Sequence, residues 1–507
     1  MARKKHYMTP VNFYLLLILI TIIISSLFSM LGWQADTLRI NSATLEVESA
    51  VVTVDNLLSV DGLRYMITNV AANFVNFAPL GMLIIALIGI SVALKSGLLK
   101  TVLGPLTKKI PNNVLTFIIV FLGVLGSIHA DSAYVFLIPL SAIVFMINKR
   151  HPIAGMCAAF SGITGGYAAY FIATSNDSLL RTYTLLSANV LDPEYTVGLW
   201  SDIIVMVIAV FVISFVGTYI TEKFIVRKLG KYNFDEEEET VIGKKEKRGL
   251  VVAGAATLIM VLLVLYTVIP GIPGSGILLD LKAGLYIDQL FGYNSYFGNG
   301  LTFIISLILI IAGLLYGMMA RTIKTSKDFS NCINDSLNGI GNVFVLLFFA
   351  SQFISILKRS NLGSVISASL INFVESANMS GIVLIIAFIL VVAVSNLLIP
   401  STSTKWLIFS PVIVPIFMQG NMSPEFAAFI FKASDSMTKG ITPVLAYFAV
   451  FIGFIEIYNN KSIPVTINKV MSLLYPYTLG FIASWLLLIL AWYIIGIPVG
   501  FNVFPAL

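Results

Sequence analysis

Long apolar runs recur along this 507-residue chain and limit what it can fold into more than any other feature. A membrane-spanning helix needs roughly 20 predominantly apolar residues. Runs of about that length cover residues 11–32, 76–95, 152–173, 198–220, 250–270, 301–320, 341–357, 425–456 and 475–498. Only 11% of the residues are charged, against about 25% in a soluble protein. We therefore predict an all-α polytopic membrane protein with nine transmembrane helices.

Two further apolar regions, residues 112–147 and 380–419, are each broken in the middle by polar residues. The breaks lie at residues 127–132 and 400–405. Backbone groups freed at such breaks cannot be satisfied by lipid, so they must face protein or water. We predict that both regions are re-entrant helical hairpins, which enter and leave on the same side. Loop charges alone leave open the alternative that each region is a pair of full spans.

Lysine and arginine are distributed asymmetrically, which predicts the orientation of the chain. With a cytoplasmic N-terminus and both hairpins returning, inward segments carry 22 of the 31 Lys and Arg residues and outward loops carry 6. The net charge of +6 is then explained by cytoplasmic loops, and we expect no nucleic-acid partner. The loop 221–249 carries both signs and is predicted to be a cytoplasmic linker.

The two halves of the chain, residues 1–240 and 241–507, repeat an order of motifs. Each broken region has an aromatic residue five positions before a proline, and an Asp-Ser pair follows downstream. The matched positions are Asp131, Tyr134, Pro139, Asp177 and Ser178 in the first half and Ser403, Trp406, Pro411, Asp435 and Ser436 in the second. Because the two hairpins start from opposite sides in this topology, we predict an inverted repeat with its substrate site near the bilayer midplane.

Polar residues at membrane depth are costly, and residues 396–443 contain a dense group of them. Asp435 and Asn396 are the candidate ion-coupling residues. A carboxylate in a cavity of low dielectric suits reversible protonation. With amide and carbonyl oxygens it could instead hold a sodium ion. The structural alternative is an aspartate that caps a broken helix.

Candidate substrate-binding residues surround this pair. Lys432 lies one turn (i, i+3) from Asp435, so it either neutralises that carboxylate or meets a carboxylate of the substrate. Hydroxyls at residues 401–404 lie at a predicted helix end, where N–H groups favour anions. Trp406 either stacks on an aromatic ligand or packs within the protein.

Prolines and a first-half counterpart complete the candidate site. Pro424 and Pro443 bracket the helix of Lys432, either as simple ends and kinks or as part of an unwound site. The counterpart contains a histidine that is either a proton relay or a structural residue. Its members are His129, Asp131, Asn176 and Asp177.

Missing motifs argue against enzymes and ATP-driven pumps. The two cysteines and three histidines are too few and too scattered for a metal framework. The sequence contains no His-Glu-x-x-His run and no nucleotide-binding P-loop. We therefore predict a protein that is not an enzyme and that has no cofactor other than a coupling proton or sodium ion.

Three motifs resemble the p-aminobenzoyl-glutamate transporter (AbgT) family. They are Ser-Thr-Ser-Thr-Lys-Trp at 401–406, Asp-Ser-Met-Thr-Lys-Gly-Ile-Thr-Pro at 435–443, and Arg-His-Pro at 150–152 followed by Gly155 and Gly165-Gly166. The similarity runs from about residue 74 to 457. It implies nine transmembrane helices with two inverted hairpins, an inner core domain, an outer scaffold domain and a homodimer. It also implies uptake of p-aminobenzoyl-glutamate, and some members are implicated in proton-driven export of sulfonamides.

Carried over by position, the resemblance implies a set of functional residues. They are Asp177 in the first half and Asn396, Ser403, Trp406, Pro424, Lys432, Asp435 and Pro443 in the second. Asn396 and Asp435 would couple the ion, with sodium as one candidate, and the others would bind substrate. Lys432 departs from the usual arginine of the family, and a lysine offers a point charge instead of a planar fork.

The combined interpretation is a multi-pass secondary active transporter of the bacterial plasma membrane. Its expected substrate is p-aminobenzoyl-glutamate or a related folate-type aromatic carboxylate, moved by a proton or sodium gradient. The closest alternative is a proton-driven exporter of sulfonamide antimetabolite drugs. A passive channel and an intramembrane enzyme rank below both.

Overall fold

The computed structural model describes residues 8–41, 44–232, 234, 243–460 and 463–507. Within these residues, nine helical stretches are long and apolar enough to cross a membrane. They are Pro10–Met30, Ala78–Lys95, Asn112–Ile147, Ile203–Leu229, Lys244–Val268, Tyr296–Ala320, Gly341–Ser360, Pro424–Tyr458 and Ile467–Ile495. The protein is therefore a multi-pass helical membrane protein, as predicted. The nine stretches differ from the nine predicted spans, because they include residues 112–147, which were predicted to be a hairpin, and lack the predicted span 152–173.

Breaks and shorter helices divide the chain further. The first part contains α1 (Pro10–Met30), α2 (Val60–Thr68), α3 (Val70–Val75), α4 (Ala78–Lys95), α5 (Leu98–Thr107), α6 (Asn112–Gly126), α7 (Ala130–Ile147), α8 (Pro152–Gly165), α9 (Ser175–Ala188), α10 (Ile203–Ile220) and α11 (Val226–Leu229). The second part contains α12 (Lys244–Val268), α13 (Tyr286–Phe291), α14 (Tyr296–Ala320), α15 (Ser326–Asn334), α16 (Gly341–Ser360), α17 (Leu362–Ser376), α18 (Gly381–Ser395), α19 (Thr402–Gln419), α20 (Pro424–Thr438), α21 (Ala446–Tyr458) and α22 (Ile467–Ile495).

A β-hairpin lies between α1 and α2, which the all-α prediction missed. Strands β1 (Gln34–Ile40) and β2 (Val47–Thr53) pair in antiparallel fashion, with Gln34 opposite Thr53. Buried and exposed residues alternate at the start of β1, and β2 is rich in valine, which favours strands. β1 packs against α17 and α19. Part of the segment after the first span is therefore an ordered sheet.

The first hairpin, residues 112–147, folds back at a 3-10 turn, Ser127–His129. The Arg150 guanidinium, just after the returning helix, donates to Asn112 O at 3.2 Å and to Thr116 Oγ1 at 3.0 Å. Both acceptors belong to the leading helix, and both helices pack against α8. The start and the end of this segment therefore lie side by side.

The second hairpin, residues 380–419, folds back at non-helical residues 396–401. The ring of Phe388 in α18 has its centroid 6.1 Å from that of Phe409 and 6.0 Å from that of Phe417, both in α19. The two helices therefore meet through these rings, and both also pack against α20.

Contacts with α22, which is 29 residues long, indicate that the two hairpins open toward opposite ends of the molecule. Near the start of α22, Ser472 O accepts from Lys228 in α11 at 2.7 Å, and Arg150 pairs with a glutamate of the same helical stretch. Near its end, the Tyr493 hydroxyl lies 3.3 Å from where a side chain at Gly381 would begin. Arg150 follows residues 112–147 and Gly381 starts residues 380–419, so these boundaries lie near opposite ends of α22, and the inverted repeat itself stays a prediction.

Two predicted spans are interrupted helices. Helix α8 ends at Gly165 and α9 begins at Ser175, so the predicted span 152–173 is helical only in its first part. The span predicted at 425–456 breaks after α20, through a 3-10 turn and then non-helical residues 442–445. Pro443 lies in this break, as expected for a residue that cannot donate a backbone hydrogen bond.

The predicted linker 221–249 is shorter than expected, because helices enter it from both ends. A π-helical turn, Thr221–Ile225, continues α10 into α11, and α12 begins at Lys244. Ile225 and Leu229 are buried, so packing extends the helix beyond the end of the apolar run. Residues 233 and 235–242, which include the acidic run of the predicted linker, lie outside the described residues.

Candidate transport site

A cavity of about 680 Å³ lies where the two halves of the chain meet. Its wall includes the tip of the first hairpin at residues 127–131, parts of the first interrupted helix within 167–182, and parts of the loop 280–299. Thr402 and Lys432 contribute to the wall from the second hairpin and the second interrupted helix. The segment before α14 therefore covers a cavity.

Two carboxylates hold Lys432 at the cavity wall. Lys432 Nζ lies 2.9 Å from Asp177 Oδ1 and also pairs with Asp202 Oδ2. The Tyr170 hydroxyl donates to Asp202 and accepts from Lys432 Nζ at 3.3 Å. All four side chains are buried. This acidic cluster, made of Lys432, Asp177, Asp202 and Tyr170, has one more carboxylate than it has ammonium groups.

The start of α9 fixes Asp177 in this cluster. Asp177 Oδ2 accepts from Thr174 N at 2.8 Å and from Thr174 Oγ1 at 2.7 Å. Thr174 Oγ1 accepts in turn from Asp177 N at 3.2 Å, which completes a capping box. The helix cap thus uses one carboxylate oxygen of Asp177, and the other faces Lys432.

Two lysines hold Asp435 behind Thr402. Lys405 Nζ, from the first turn of α19, pairs with Asp435 Oδ1, and Lys439 Nζ lies 3.0 Å from Oδ2. The Thr402 hydroxyl donates to Oδ2 at 2.6 Å and accepts from Lys439 Nζ at 2.7 Å. This basic cluster, made of Asp435, Lys405, Lys439 and Thr402, is buried and has one more ammonium group than it has carboxylates.

Asn396 ties the break of the second hairpin to the second interrupted helix. Its Nδ2 donates to Asp435 O at 2.9 Å and to Thr438 Oγ1 at 2.8 Å. Its backbone carbonyl accepts from Thr442 Oγ1 at 2.8 Å, and its Oδ1 accepts from Lys405 Nζ. The Lys405 ammonium therefore lies between the side-chain oxygens of Asn396 and Asp435. One of the two predictions placed a coupling sodium ion at this position.

Trp406 is fully buried behind the cavity wall. Its Nε1 donates to Thr184 Oγ1 in α9 at 2.9 Å. Its ring stacks on Phe431, with the centroids 4.6 Å apart and the planes 24° apart. In this arrangement the indole packs between α9 and Phe431 of α20, which is the geometry of the packing interpretation.

The remaining predicted residues of the second half frame the clusters. Ser403 lies in the first turn of α19, with its Oγ 3.2 Å from Ser401 Oγ. Pro424 begins α20. The carbonyl of Pro443, in the break after α20, accepts from the Tyr14 hydroxyl of α1 at 3.3 Å.

The first-half counterpart comes together as the repeat predicts. His129 and Asp131 lie at the tip of the first hairpin, and Asn176 and Asp177 lie in the first turn of α9. All four line the cavity. The structure thus brings them to the cavity that Lys432 and Thr402 reach from the second half.

Sequence reasoning missed Asp202 and Tyr170. Asp202 stands inside the predicted span 198–220, and a carboxylate in an apolar run is a signal that could have identified it. Tyr170 gives no such signal, because an aromatic residue in an apolar run is ordinary packing. Lys439 was noticed as part of the polar region but received no role.

Two solved transporter structures are similar to this chain. The YdaH transporter of Alcanivorax borkumensis, whose crystal structure is described as having an unusual topology, is 28% identical, with a TM-score of 0.48 and coverage of 97% of this chain and 100% of that chain. MtrF of Neisseria gonorrhoeae, described as illuminating a class of antimetabolite efflux pumps, is 30% identical, with a TM-score of 0.49 and coverage of 98% of both chains.

Sequence comparisons cover almost the whole chain. The p-aminobenzoyl-glutamate transport protein of Escherichia coli (strain K12) is 30% identical over 500 residues, which are 98% of this chain and 94% of that protein. The model of a family described as "AbgT putative transporter family" matches residues 5–506. The resemblance inferred from three motifs is thereby confirmed, and the chain belongs to the AbgT family of transporters.

Proposed function

We propose that this protein is a secondary active transporter of p-aminobenzoyl-glutamate, or a related folate-type aromatic carboxylate, in the bacterial inner membrane. The family and the Escherichia coli relative support this substrate class. The observation that carries the proposal is the cavity, because its wall joins charged residues of both halves at helix breaks. Broken helices around a central cavity are the arrangement in which secondary transporters bind substrates and coupling ions.

Proton coupling fits this geometry better than sodium binding at Asn396 and Asp435. Asn396 Oδ1 and Asp435 Oδ1 already bond to the Lys405 ammonium. A sodium ion between them would have to displace a like charge. Asp131 and Asp177 place two carboxylates on the cavity wall. The proposal involves no cofactor beyond the coupling proton and no covalent chemistry.

The predicted residues take different roles in this proposal. Asp177 and Lys432 line the cavity and contact the substrate. Ser403 adds a hydroxyl at the start of α19, and Trp406 holds α9 in place through Thr184. Pro424 begins α20, on which Lys432 and Asp435 lie, and Pro443 lies in the break that follows it.

We further propose a cytoplasmic N-terminus, a core of hairpins and interrupted helices within scaffold helices, and a homodimer. The excess of Lys and Arg in inward segments supports the orientation. Helix α12 is apolar and little buried by the other described residues, so it suits contact with lipid or with a second copy of the chain.

Flux into proteoliposomes tests the proposed function. Labelled p-aminobenzoyl-glutamate and a labelled sulfonamide are each offered under a proton gradient or a sodium gradient imposed separately, with protein-free liposomes as the control. We expect saturable uptake of p-aminobenzoyl-glutamate that follows the proton gradient alone. Uptake that follows only the sodium gradient would contradict proton coupling. Movement of the sulfonamide alone would identify a drug exporter, and flux independent of both gradients would identify a passive channel.

A further inference from the structure

We propose that Lys439, Thr402 and Tyr167 form the subsite that receives a carboxylate of the transported molecule. This inference rests on the proposed function, because it assigns a position to one group of that substrate. Thr402 and Tyr167 belong to the cavity wall, and Lys439 lies directly behind them. The subsite therefore combines a buried ammonium group with two wall residues that a ligand can reach.

Among the described residues, Lys439 has two strong partners and directs its third bonding direction at an aromatic ring. Its Nζ bonds to Asp435 Oδ2 at 3.0 Å and to Thr402 Oγ1 at 2.7 Å, and it lies 3.5 Å from the centroid of the Tyr167 ring. A lysine ammonium has three N–H donors, and a ring face is a weaker partner than a carboxylate. A carboxylate that enters beside Thr402 can replace the ring as the third partner.

The charge balance of the basic cluster favours the same conclusion. Lys405 and Lys439 share the single carboxylate of Asp435, and both lysines are buried. A buried charge without a full counter-charge is costly, and binding an anion removes that cost. Thr402 also begins α19, an 18-residue helix whose first N–H groups favour an anion on the cavity side.

Lys432 is not available for this role, although it lines the cavity. Asp177 and Asp202 already pair with it, so a substrate carboxylate would become the third negative group around one ammonium. Other carboxylates on the wall repel an anion as well. They are Asp131, Asp280 and Asp288. The surplus ammonium beside Thr402 is what favours an anion at that part of the wall.

The distance between the two clusters fits the proposed substrate. Lys432 and Lys439 are seven residues apart on α20 and the 3-10 turn that follows it, which corresponds to roughly 10 Å at 1.5 Å per residue. p-Aminobenzoyl-glutamate carries an aromatic amine at one end and carboxylates at the other. We infer that the amine points toward Asp177 and that a carboxylate points toward Lys439.

Calorimetric titration of the purified full-length protein tests this subsite with two ligands, p-aminobenzoyl-glutamate and its uncharged diamide. In the wild-type protein we expect the diamide to bind about tenfold more weakly or worse, because it cannot pair with Lys439. In Lys439→Met, the affinity for p-aminobenzoyl-glutamate should fall to that for the diamide. The affinity for the diamide itself should stay within about twofold of its wild-type value. Lys439→Arg should keep the difference between the ligands. Lys327→Met, which removes an exposed lysine on α15, is the matched control.

Equal weakening of both ligands in Lys439→Met, or no weakening of p-aminobenzoyl-glutamate, would overturn the inference. If that variant does not fold, the same titration of Thr402→Val tests the subsite. This variant keeps every charge and removes the hydroxyl between Lys439 and the cavity. A severalfold loss confined to the carboxylate ligand would support the subsite, and any other pattern would overturn it. A wild-type protein that binds neither ligand would refute the proposed function itself, so the two failures are distinguishable.

Discussion

The acidic cluster surrounds Lys432 and the basic cluster surrounds Asp435. These two residues lie on the same helix, but the clusters have opposite compositions. In the acidic cluster Lys432 meets two carboxylates, whereas in the basic cluster Asp435 meets two lysines. Both clusters are buried, and both adjoin breaks in helices. Each cluster is therefore suited to a different ligand charge: a proton or an amine at the first, and an anion at the second. The ligand charge that each cluster favours follows from the balance of its charges more than from any single residue.

Removing Asp435 should have the largest effect, because it leaves two buried lysines without a counter-charge. Breaking a buried pair in this way costs about 3–5 kcal/mol. We expect Asp435→Asn to lower the Tm of the detergent-purified protein strongly and to abolish transport. Adding Lys405→Met restores the wild-type net charge of the basic cluster and should recover most of the stability, but not the transport. A single variant as stable as the wild type would contradict the assigned charge balance.

Replacing Lys432 should have the next largest effect, of about 2–3 kcal/mol, because two carboxylates then lose their shared partner. The loss is smaller than at Asp435, since Asp177 keeps its bonds to Thr174 and Asp202 keeps Tyr170. We expect the Tm of the detergent-purified protein to fall in Lys432→Met, but by less than in Asp435→Asn. A larger fall than in Asp435→Asn would contradict this order.

The two carboxylates of the acidic cluster should differ from each other. Asp177→Asn weakens the cap of α9 and is expected to cost about 1 kcal/mol. Asp202→Asn still offers Tyr170 an acceptor and leaves a one-to-one pair, so its effect on Tm should be smaller. Binding of p-aminobenzoyl-glutamate should also suffer more in Asp177→Asn, because only Asp177 lies on the cavity wall. Equal effects of the two variants would argue against this difference.

Trp406 lies in neither cluster and should have the smallest effect on ligand binding. Trp406→Phe keeps the stack on Phe431 and loses the bond to Thr184, which is worth about 0.5–1.5 kcal/mol. Thr184→Val should cost about the same, and the double variant no more than either single one. We expect calorimetry to show unchanged affinity for p-aminobenzoyl-glutamate. A tenfold loss would indicate that the indole contacts the ligand in another conformation.

The helix breaks and several charged site residues could be predicted from local sequence. Pro400 and Pro443 indicated interruptions, and the structure has non-helical residues at both positions. Asp177, Lys432 and Asp435 were identified because charged residues are rare at membrane depth, and all three lie in the clusters. These predictions succeed because proline and charge constrain their own immediate surroundings.

The partners of these residues could not be predicted in the same way. Lys432 and Asp177 are 255 positions apart, and no periodicity in the sequence relates them. The packing of α9 against α19 and α20 decides that contact. The position of Trp406 on α19 likewise does not determine whether its ring meets a ligand or Phe431. The β-hairpin was missed because its short alternating strands lie in a stretch that reads as a polar loop.

The pairing of Lys405 with Asp435 also bears on how the empty protein completes its cycle. A sodium ion leaves its site when the outside concentration falls, whereas an ammonium group attached to the chain keeps a fixed effective concentration. Asp435 therefore retains its counter-charge whichever face of the membrane the cavity is open to. In the transport cycle that we propose, the empty carrier can therefore return in a sodium-free medium without binding a metal ion.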